Sequence, residues 1–408
     1  MKIGILTMYY PPEVGAPQRR LSELADFFVK NGHSVTVFTT FPNYPDGRLK
    51  GKYDQILFKN EINGIRIIRS YSHFRTDPGI FDRLASHLSF MLSSSIALVF
   101  SPQLDLLIVE SPPLFLGLTG VFARIFKKSR MVFHVSDLWP DSIRELGALK
   151  NESCLKMLEW IEEFIYHRSA AIVAVTKGIH RNLKRRGFKR LAFIPNGVDL
   201  DRITVRADKC SLTLDRFGLT STDFIALYAG TFGLAHPLEL IIEAASRLEF
   251  KLPDLKFLLV GGGARFEEIR ALAFKLSNVI VVPPVPMEEM DGLLSVADTL
   301  VLALKDLPLF SGALPSKIYE ANGAGKPVLA LLDGETRSYF EKSGGGEALG
   351  FGRADQLAGR LHYYYHHREE LAVMGRKGRA YVEQKYSREA LGRRYLRLFE
   401  RIMKKRHQ

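Results

Sequence analysis

The chain has 408 residues, and its size and charge already restrict the kind of protein it can be. A single hydrophobic core stops growing beyond roughly 250–300 residues, so we expect two domains. Hydrophobic residues make up 46% and charged residues 25%, a composition that excludes a disordered or collagen-like chain. The formal net charge of +13 favours an anionic partner, which could be nucleic acid, a membrane surface or a phosphorylated substrate.

The sequence carries no clear signal for export or membrane insertion. The apolar run at 3–8 is shorter than the roughly 7–15 apolar residues of a signal peptide. The run at 88–100 contains serines and is shorter than the roughly 18 apolar residues of a membrane span. Cys154 and Cys210 have no metal-ligand spacing. These features predict a reduced, cytoplasmic protein.

Short apolar segments alternate with helical ones along the whole chain. Strands are predicted at 3–8, 34–40, 64–71, 105–109, 131–135, 171–176, 224–229, 256–260, 279–282, 299–303 and 327–331. Helical patterns lie between them, for example at 17–31, 238–247 and 266–276. Such alternation predicts an α/β fold with doubly wound, parallel, Rossmann-like sheets.

A turn at Pro195, Asn196 and Gly197 separates two series of these elements. We therefore predict an N-terminal Rossmann-like domain at 1–200 and a second one at 201–386, facing each other across a cleft. A basic C-terminal helix at 387–408 is expected to pack back on the N-terminal domain. Ligands of open α/β sheets bind at the carboxyl ends of the strands, so the loops that follow strands carry the functional information.

Two such loops fall in the first domain. The loop after the first strand contains Gly15, which permits close backbone approach to a phosphate at a helix start, followed by Arg19. It lacks the G-x-G-x-x-G pattern, which argues against an NAD dehydrogenase. The loop after residue 133 holds His134, Asp137 and Asp141 around Trp139, and three ionisable groups this close together at a strand end indicate a site. The alternative is a helix capped by Asp141 with Trp139 packed beneath it.

Two further loops fall in the second domain. The first contains Gly230, Thr231 and Gly233 and is either a ligand-binding loop or a plain glycine turn. The second, at 311–327, places Lys317 in the first turn of a helix, where the helix dipole disfavours a cation unless an anion is bound. Glu320 projects from the same side of that helix. A capping interaction between Ser316 and Glu320 is the alternative.

These loops carry a resemblance. PSKIYEANGAGKPVLA at 315–330, with IPNGVD at 194–199 and YAGTFG at 228–233, resembles family 4 retaining glycosyltransferases of the GT-B fold over essentially the whole chain. DLWPDS at 137–142 and the segment 9–28 are similar to the branch that builds bacterial surface polysaccharides, including the L-fucosamine transferases of O-antigen assembly.

The resemblance implies an activity and its partners. A sugar, for example an N-acetylated deoxyamino sugar, would move with retention from a nucleotide-diphosphate donor, UDP-linked in most such enzymes. The acceptor would be a lipid-linked glycan on undecaprenyl diphosphate, in the synthesis of lipopolysaccharide or a related polymer. No metal ion or other cofactor and no nucleic acid is implied. The enzyme would lie at the inner face of the plasma membrane, bound peripherally to an anionic surface.

The resemblance also implies roles for residues. Glu320 would accept both ribose hydroxyls of the donor, and Lys317 with the Ser316 backbone would lie near the diphosphate. Gly15, Gly230, Thr231 and Gly233 would close on the phosphates. His134 and Asp137 would face the transferred sugar and the acceptor. The predicted catalytic residues are thus Asp137, His134 and Lys317, and the predicted substrate-binding residues are Gly15, Arg19, Gly230, Thr231, Gly233, Ser316 and Glu320.

This sequence departs from the family pattern at two places. The family has a second glutamate eight positions before the one aligned with Glu320, and here that position is Gly312. In the family this glutamate normally contacts hydroxyls of the donor sugar. Its absence fits a deoxy or amino sugar, which has fewer hydroxyls. The family also often carries a basic pair after the first strand of the second domain. No Arg or Lys follows that strand before Arg247, which leaves the diphosphate charge to Lys317 or Arg19.

Most of the basic excess lies elsewhere, in clusters at 127–130, 181–190 and 393–406. The apolar segment 80–100 could form an amphipathic helix that lies in a membrane interface, with Phe81, Phe90 and Met91 contacting lipid. The alternative is a helix covered by protein and charge clusters facing water.

Two other classes of protein remain to be distinguished. One is a nucleotide-sugar epimerase or sugar phosphorylase of the same architecture. The other is a nucleic-acid-binding protein, which the absence of interleaved aromatic and basic residues disfavours.

Overall fold

The computed structural model describes residues 1–13, 16–43, 49, 51, 57–74, 80–145, 149, 151–203, 205 and 208–404. The chain divides into two compact units. Unit 1 comprises Met1–Asn196 and Arg388–Gln408, and unit 2 comprises Gly197–Ser387. Each unit contains one sheet, and the α/β prediction with parallel strands is confirmed.

The strands and helices are numbered here along the chain. The strands are β1 (Lys2–Leu6), β2 (Ser34–Thr40), β3 (Leu57–Ile62), β4 (Ile65–Ser70), β5 (Leu106–Ser111), β6 (Arg130–Val135), β7 (Ala171–Ala174), β8 (Leu191–Phe193), β9 (Phe224–Thr231), β10 (Leu255–Gly262), β11 (Val279–Val282), β12 (Thr299–Ala303), β13 (Val328–Leu331) and β14 (Gly346–Ala348). The helices are α1 (Ala16–Lys30), α2 (Ile80–Val99), α3 (Leu116–Phe126), α4 (Asp141–Glu145), α5 (Glu152–Arg168), α6 (Lys177–Arg185), α7 (Ser211–Phe217), α8 (Glu239–Leu248), α9 (Phe266–Ala273), α10 (Met290–Val296), α11 (Ser316–Gly323), α12 (Glu335–Ser343), α13 (Ala354–His366), α14 (Arg368–Lys385) and α15 (Arg388–Lys404).

The sheet of unit 1 has eight strands in the order β3-β4-β2-β1-β5-β6-β7-β8. Its central strands β1, β2, β5 and β6 are apolar runs whose side chains are buried on both faces, as expected for parallel strands covered by helices. The exception is β3, which pairs antiparallel with β4 at the edge. The sequence analysis missed β3 because its residues, LFKNEI, are mostly exposed and lack a continuous apolar pattern.

The C-terminal helix α15 belongs to unit 1. Its apolar face contributes Leu391, Tyr395 and Phe399 to the core that surrounds Phe28 of α1. Close approach is possible because Gly392 lies against Phe27, where a Cβ atom would come within 2.4 Å of the ring. The helix therefore covers α1 with a periodic apolar face.

The sheet of unit 2 has six parallel strands in the order β11-β10-β9-β12-β13-β14. The carboxyl ends of β9 and β10 approach each other unusually closely. Gly261 adopts a φ of +157°, and a Cβ atom there would lie 1.7 Å from the carbonyl oxygen of Gly230. Only glycine fits this position, so the glycines at the end of β10 hold the loop after β9 in place.

The segment predicted to meet a membrane is α2, but its apolar face differs from the expected one. Phe90 is 0% exposed and packs in the core with Leu98, so the prediction that Phe90 contacts lipid is wrong. The side chain of Phe81 lies outside the described residues. The exposed apolar residues are instead Leu92, at 60%, and Ile96, at 51%. Among the described residues, no helix is long and apolar enough to cross a bilayer.

Candidate functional site

A buried charged cluster lies at the carboxyl ends of β5 and β6 in unit 1. Glu110, near the end of β5, forms an ion pair with Arg20 of α1 at 2.5 Å between Oε2 and Nη2. The same carboxylate lies 2.9 Å from Nδ1 of His134 and accepts a hydrogen bond of 2.7 Å from the Ser136 hydroxyl. Arg20 also donates to the side-chain oxygen of Asn196, which follows β8. The cluster therefore ties together three strand ends and the first helix.

Electrostatics fix the protonation states in this cluster. Burial alone would raise the pKa of Glu110, but the charge of Arg20 and the hydrogen bonds from His134 and Ser136 outweigh it and lower that pKa to about 2. Burial lowers the pKa of His134, and Arg20 lowers it further. Nε2 of His134 lies 2.9 Å from Nη1 of Arg20, which suits a neutral imidazole with its proton on Nδ1. A neutral histidine thus bridges a carboxylate and a guanidinium.

The structure places His134 beneath the surface. Its side chain is 1% exposed and stacks on Tyr395 at 6.3 Å between ring centroids. This placement differs from the expectation that His134 faces the transferred sugar. The half-buried Ser136, two residues on, lies closer to solvent. Within unit 1, His134 therefore contacts Glu110 and Ser136 and is not itself at the surface.

Asp137 lies in the turn that leads into α4. Its carboxylate accepts hydrogen bonds from the Ser142 side chain and the Leu138 backbone, while burial raises its pKa. Trp139 is half-buried and packs edge-on against Phe115 at 5.9 Å between centroids. The side chain of Asp141 lies 3.9 Å from Arg144. Asp137, rather than Asp141, thus receives the hydrogen bonds that hold the start of α4.

The first loop of unit 1 is only partly described. Gly15, predicted to approach phosphate, lies outside the described residues. Arg19 is one-fifth exposed and donates from Nε to Glu23 at 3.0 Å. Glu23 also pairs with Arg388 of α15 at 2.6 Å. Arg19 is therefore held by a carboxylate that two guanidinium groups share.

In unit 2, the structure brings together two of the loops that the sequence singled out. The Lys317 side chain runs across Gly230, where a Cβ atom would lie 2.6 Å from Cε and 3.0 Å from Nζ of the lysine. Any larger residue at position 230 would displace Lys317. Burial lowers the pKa of Lys317, and the negative charge of Glu320 counteracts this only in part. Lys317 forms no ion pair with a carboxylate of the residues that the structure describes.

His236 completes the surroundings of this lysine. Its Nδ1 is buried and has no hydrogen-bond partner in the described part of the chain. Burial lowers the pKa of His236, and the charge of Lys317 lowers it further. The neighbouring Gly233 carbonyl accepts from the His236 backbone at 3.0 Å. In the described part of the chain, a buried nitrogen without a hydrogen-bond partner thus lies beside a lysine without a carboxylate counter-ion.

The helix α11 presents its amino end to the same region. Pro315 stands at the N-cap position and makes no side-chain cap, and Ser316 is the first helical residue. The alternative prediction, in which Ser316 caps the helix, is therefore wrong. Glu320 is half-buried, one turn after Lys317. Gly312, which replaces the expected second glutamate, ends the short 3₁₀ helix Pro308–Gly312.

The structure shows functional candidates that the sequence analysis missed. Glu110, Asn196 and His236 lie at or after strand ends, and Arg20 of α1 reaches the first two. Glu110 could have been found from the sequence, because it interrupts the apolar run of β5 just before that strand ends. The partners of Glu110 could not, because Arg20 lies 90 residues away in the chain. No group of three His, Cys, Asp or Glu is placed to hold a metal ion in the ranges described.

Two domain families match the chain. Residues 17–202 match the family described as Glycosyltransferase Family 4, and residues 214–381 match Glycosyl transferases group 1. The chain is 25% identical over 328 residues to a protein of Escherichia coli (strain K12) provisionally named colanic acid biosynthesis glycosyl transferase WcaI. That alignment covers 78% of this chain and 80% of the relative.

Solved structures share the fold. Sucrose-phosphate synthase from Thermosynechococcus elongatus superposes with a TM-score of 0.78 at 17% identity, over 98% of this chain and 99% of that one. Anabaena HepE in complex with UDP and glucose superposes with a TM-score of 0.72 at 14% identity, with the same coverage of both chains. The chain is a glycosyltransferase of the GT-B fold, with a Glycosyltransferase Family 4 domain followed by a group 1 glycosyl transferase domain.

Proposed function

We propose that this glycosyltransferase uses a UDP-linked sugar and that unit 2 holds the donor. The observation that carries the proposal is Lys317, a half-buried cation that lies across Gly230, has a lowered pKa and pairs with no carboxylate of the described residues. Burying an uncompensated ammonium group is costly, and a bound diphosphate would supply the missing negative charge. HepE, of the same fold, is seen with UDP.

The chemistry of sugar transfer needs such a cation. As the glycosidic bond to the donor breaks, negative charge develops on the leaving diphosphate and positive charge on the sugar ring. Lys317 and the uncapped amino end of α11 would stabilise the diphosphate, and Gly230, Thr231 and Gly233 would let backbone groups approach it. The orphaned Nδ1 of His236 would gain a hydrogen-bonding partner from the same ligand. Lys317 thereby supplies the charge that the missing basic pair would provide.

Glu320 would fix the nucleoside. A carboxylate one helical turn after Lys317 can accept both ribose hydroxyls, and each charge-assisted hydrogen bond contributes roughly 1.5–3 kcal/mol. Ser316 would offer its backbone N–H to the diphosphate. At Gly312 no side chain is available to hold sugar hydroxyls, which favours a donor sugar with fewer of them, such as an N-acetylated deoxyamino sugar.

Unit 1 would supply the acceptor side. Asp137 is half-buried with a raised pKa, which suits a group that exchanges a proton or hydrogen bond with an acceptor hydroxyl. His134 would position Ser136 and Glu110 rather than touch the sugar. Gly15 and Arg19 would contact the phosphates. Transfer with retention would proceed by front-side attack assisted by the leaving diphosphate, which requires no protein nucleophile.

The acceptor would be a glycan on a lipid diphosphate at the inner membrane surface, in the synthesis of a bacterial surface polysaccharide. The name of WcaI places that relative in colanic acid synthesis. Unit 1 also carries exposed apolar side chains on α2, α3 and α5 and directly after α2, which would contact lipid. We define these side chains as the apolar surface: Leu92, Ile96, Val99, Phe100, Ile125, Phe126, Met157 and Trp160.

The apolar surface gives a test of membrane association. We expect the double variant Leu92→Ser/Ile96→Ser to bind anionic vesicles at least tenfold more weakly, because fully burying each aliphatic side chain contributes about 1.5–3 kcal/mol. Flotation with phosphatidylglycerol vesicles measures the bound fraction. The matched control is Phe250→Ser/Phe274→Ser, which removes two exposed apolar side chains from unit 2. Equal binding by both double variants would contradict lipid contact through the apolar surface.

The donor proposal is tested by a nucleotide panel. Thermal shift of the whole chain with UDP, GDP, ADP and the corresponding nucleotide sugars should give the largest rise in Tm with a UDP compound, because a ligand that binds only the folded state stabilises it. The best compound should then lose UDP when incubated with a lipid-diphosphate acceptor. Preferential stabilisation by GDP or ADP sugars would exclude UDP as the donor nucleotide.

A further inference from the structure

A cluster of basic residues surrounds a cavity in unit 1, at the end of the sheet opposite to the Glu110 cluster. A cavity of about 750 Å³ opens at the amino ends of β6, β7 and β8, beside the last turns of α15. From Arg130 to Val135, β6 spans about 17 Å at roughly 3.3 Å per residue, which separates this cavity from Ser136. Its volume is within the range of small-molecule sites.

Cations dominate the wall of this cavity. Six of its thirteen lining residues are basic and none is acidic: Arg124, Lys128, Arg130, Lys189, Arg190 and Arg401. All four guanidinium groups donate to backbone carbonyls: Arg124 to Arg168, Arg130 to Ile402, Arg190 to Ser169 and Arg401 to Arg397. Within the described residues, none of the six forms an ion pair with a carboxylate. Their charges are oriented by the protein and left unneutralised.

The wall of this cavity also contains a buried hydroxyl group. Ser129 lines the cavity, is 1% exposed, and its Oγ has no hydrogen-bond partner in the part of the chain that the structure describes. A buried hydroxyl without a partner costs roughly 1–3 kcal/mol, so such groups are rare unless a ligand or water satisfies them. The preceding residue, Lys128, takes up a φ of +53°, a conformation unusual for a lysine, and brings its own side chain to the same wall.

We propose that this cationic pocket binds a phosphate-bearing anion. Guanidinium groups bind phosphate through paired N–H donors, and the Ser129 hydroxyl would donate to one of its oxygens. The anion could come from a lipid headgroup, because Ile125 and Phe126 of the apolar surface lie next to Arg124 in the chain. It could equally come from a soluble phosphorylated compound. In both cases the ligand binds away from the Lys317 site and does not depend on the proposed donor.

Charge reversal tests the pocket without disturbing the fold. Lys128 and Lys189 are exposed, so Lys128→Glu/Lys189→Glu changes only the wall of the pocket. The matched control is Lys251→Glu/Lys275→Glu, which introduces the same charge change at exposed positions of unit 2. Each protein is titrated with inorganic pyrophosphate by calorimetry. Each is also floated with phosphatidylcholine vesicles with and without phosphatidylglycerol.

The pocket variant should bind at least tenfold more weakly than the control to whichever anion the wild type binds. Ser129→Ala should weaken the same binding several-fold without lowering Tm, because it removes a hydroxyl that is unpaired in the free protein. Binding to pyrophosphate alone would identify a soluble ligand, and binding to the anionic vesicles alone would identify a headgroup. Equal affinities of pocket variant and control, or no binding of either anion by the wild type, would overturn the proposal. Loss of UDP binding elsewhere would not affect this outcome.

Discussion

Replacing Lys317 with methionine is expected to lower the turnover number for sugar transfer on the order of 10²-fold. Methionine keeps the apolar stem that lies across Gly230 but removes the charge, so the effect reports electrostatics rather than packing. Removing one fixed group that stabilises developing negative charge costs about 10²–10³ in rate. The measurement is UDP release from the best nucleotide sugar, at saturating donor.

The matched control for this variant is Lys275→Met, which removes an exposed cation from the same unit. Its turnover should equal that of the wild type. The pH profile gives a second readout. Because burial lowers the pKa of Lys317, kcat/KM should fall on the alkaline side at a pH below the ordinary lysine value of 10.5. That alkaline fall should be absent from Lys317→Met. An unchanged turnover number would remove Lys317 from the chemistry.

Replacing Glu110 with glutamine is expected to destabilise unit 1 by about 3–5 kcal/mol. The substitution keeps the shape of the side chain but leaves the buried Arg20 without its counter-ion, and breaking a buried ion pair costs about this much. Both tryptophans of the chain, Trp139 and Trp160, belong to unit 1. Tryptophan fluorescence during urea unfolding therefore reports on this unit.

The pH dependence of unfolding separates charge from shape in the same variant. The pKa of Glu110 is lowered from 4.5 to about 2, so its contribution is fully present above about pH 4.5 and is lost as the pH falls towards 2. The difference in unfolding free energy between wild type and Glu110→Gln should therefore shrink over that interval. The control is Asp333→Asn, which breaks an exposed pair with Arg337 and should cost less than about 1 kcal/mol. A difference that is constant from pH 2 to 7 would contradict the ionised pair.

The fold could be predicted from the sequence because its central strands are continuous apolar runs. Strand β2 and strands β11 and β12 were predicted with the bounds that the structure gives them. The edge strand β3 was not, because its pairing with β4 rather than its composition makes it a strand. On α2, apolar residues occur on more than one face. The position of the sheet determines which face of α2 is covered. Phe90 is therefore buried and Leu92 exposed, which the sequence alone does not indicate.

The candidate site was predictable where its residues lie close along the chain. Lys317 and Glu320 occupy one turn of α11, and helix geometry alone places them on one side. The approach of Lys317 to Gly230 was expected only in outline, from the rule that strand ends share one edge of a parallel sheet. The cluster of Glu110, Arg20 and His134 joins distant segments. No local sequence pattern predicts such a cluster, because its charged residues come together only when the chain has folded.

The account depends on unit 2 holding a nucleoside diphosphate between Lys317 and Glu320. A calorimetric titration of UDP into the wild type, Lys317→Met and Glu320→Ala tests this most directly. We predict that each variant binds UDP about 10- to 150-fold more weakly, which corresponds to the roughly 1.5–3 kcal/mol of one charge-assisted hydrogen bond. Uridine should distinguish the two, with its affinity reduced in Glu320→Ala and unchanged in Lys317→Met. UDP affinities equal to that of the wild type in both variants would contradict the assignment of the donor site.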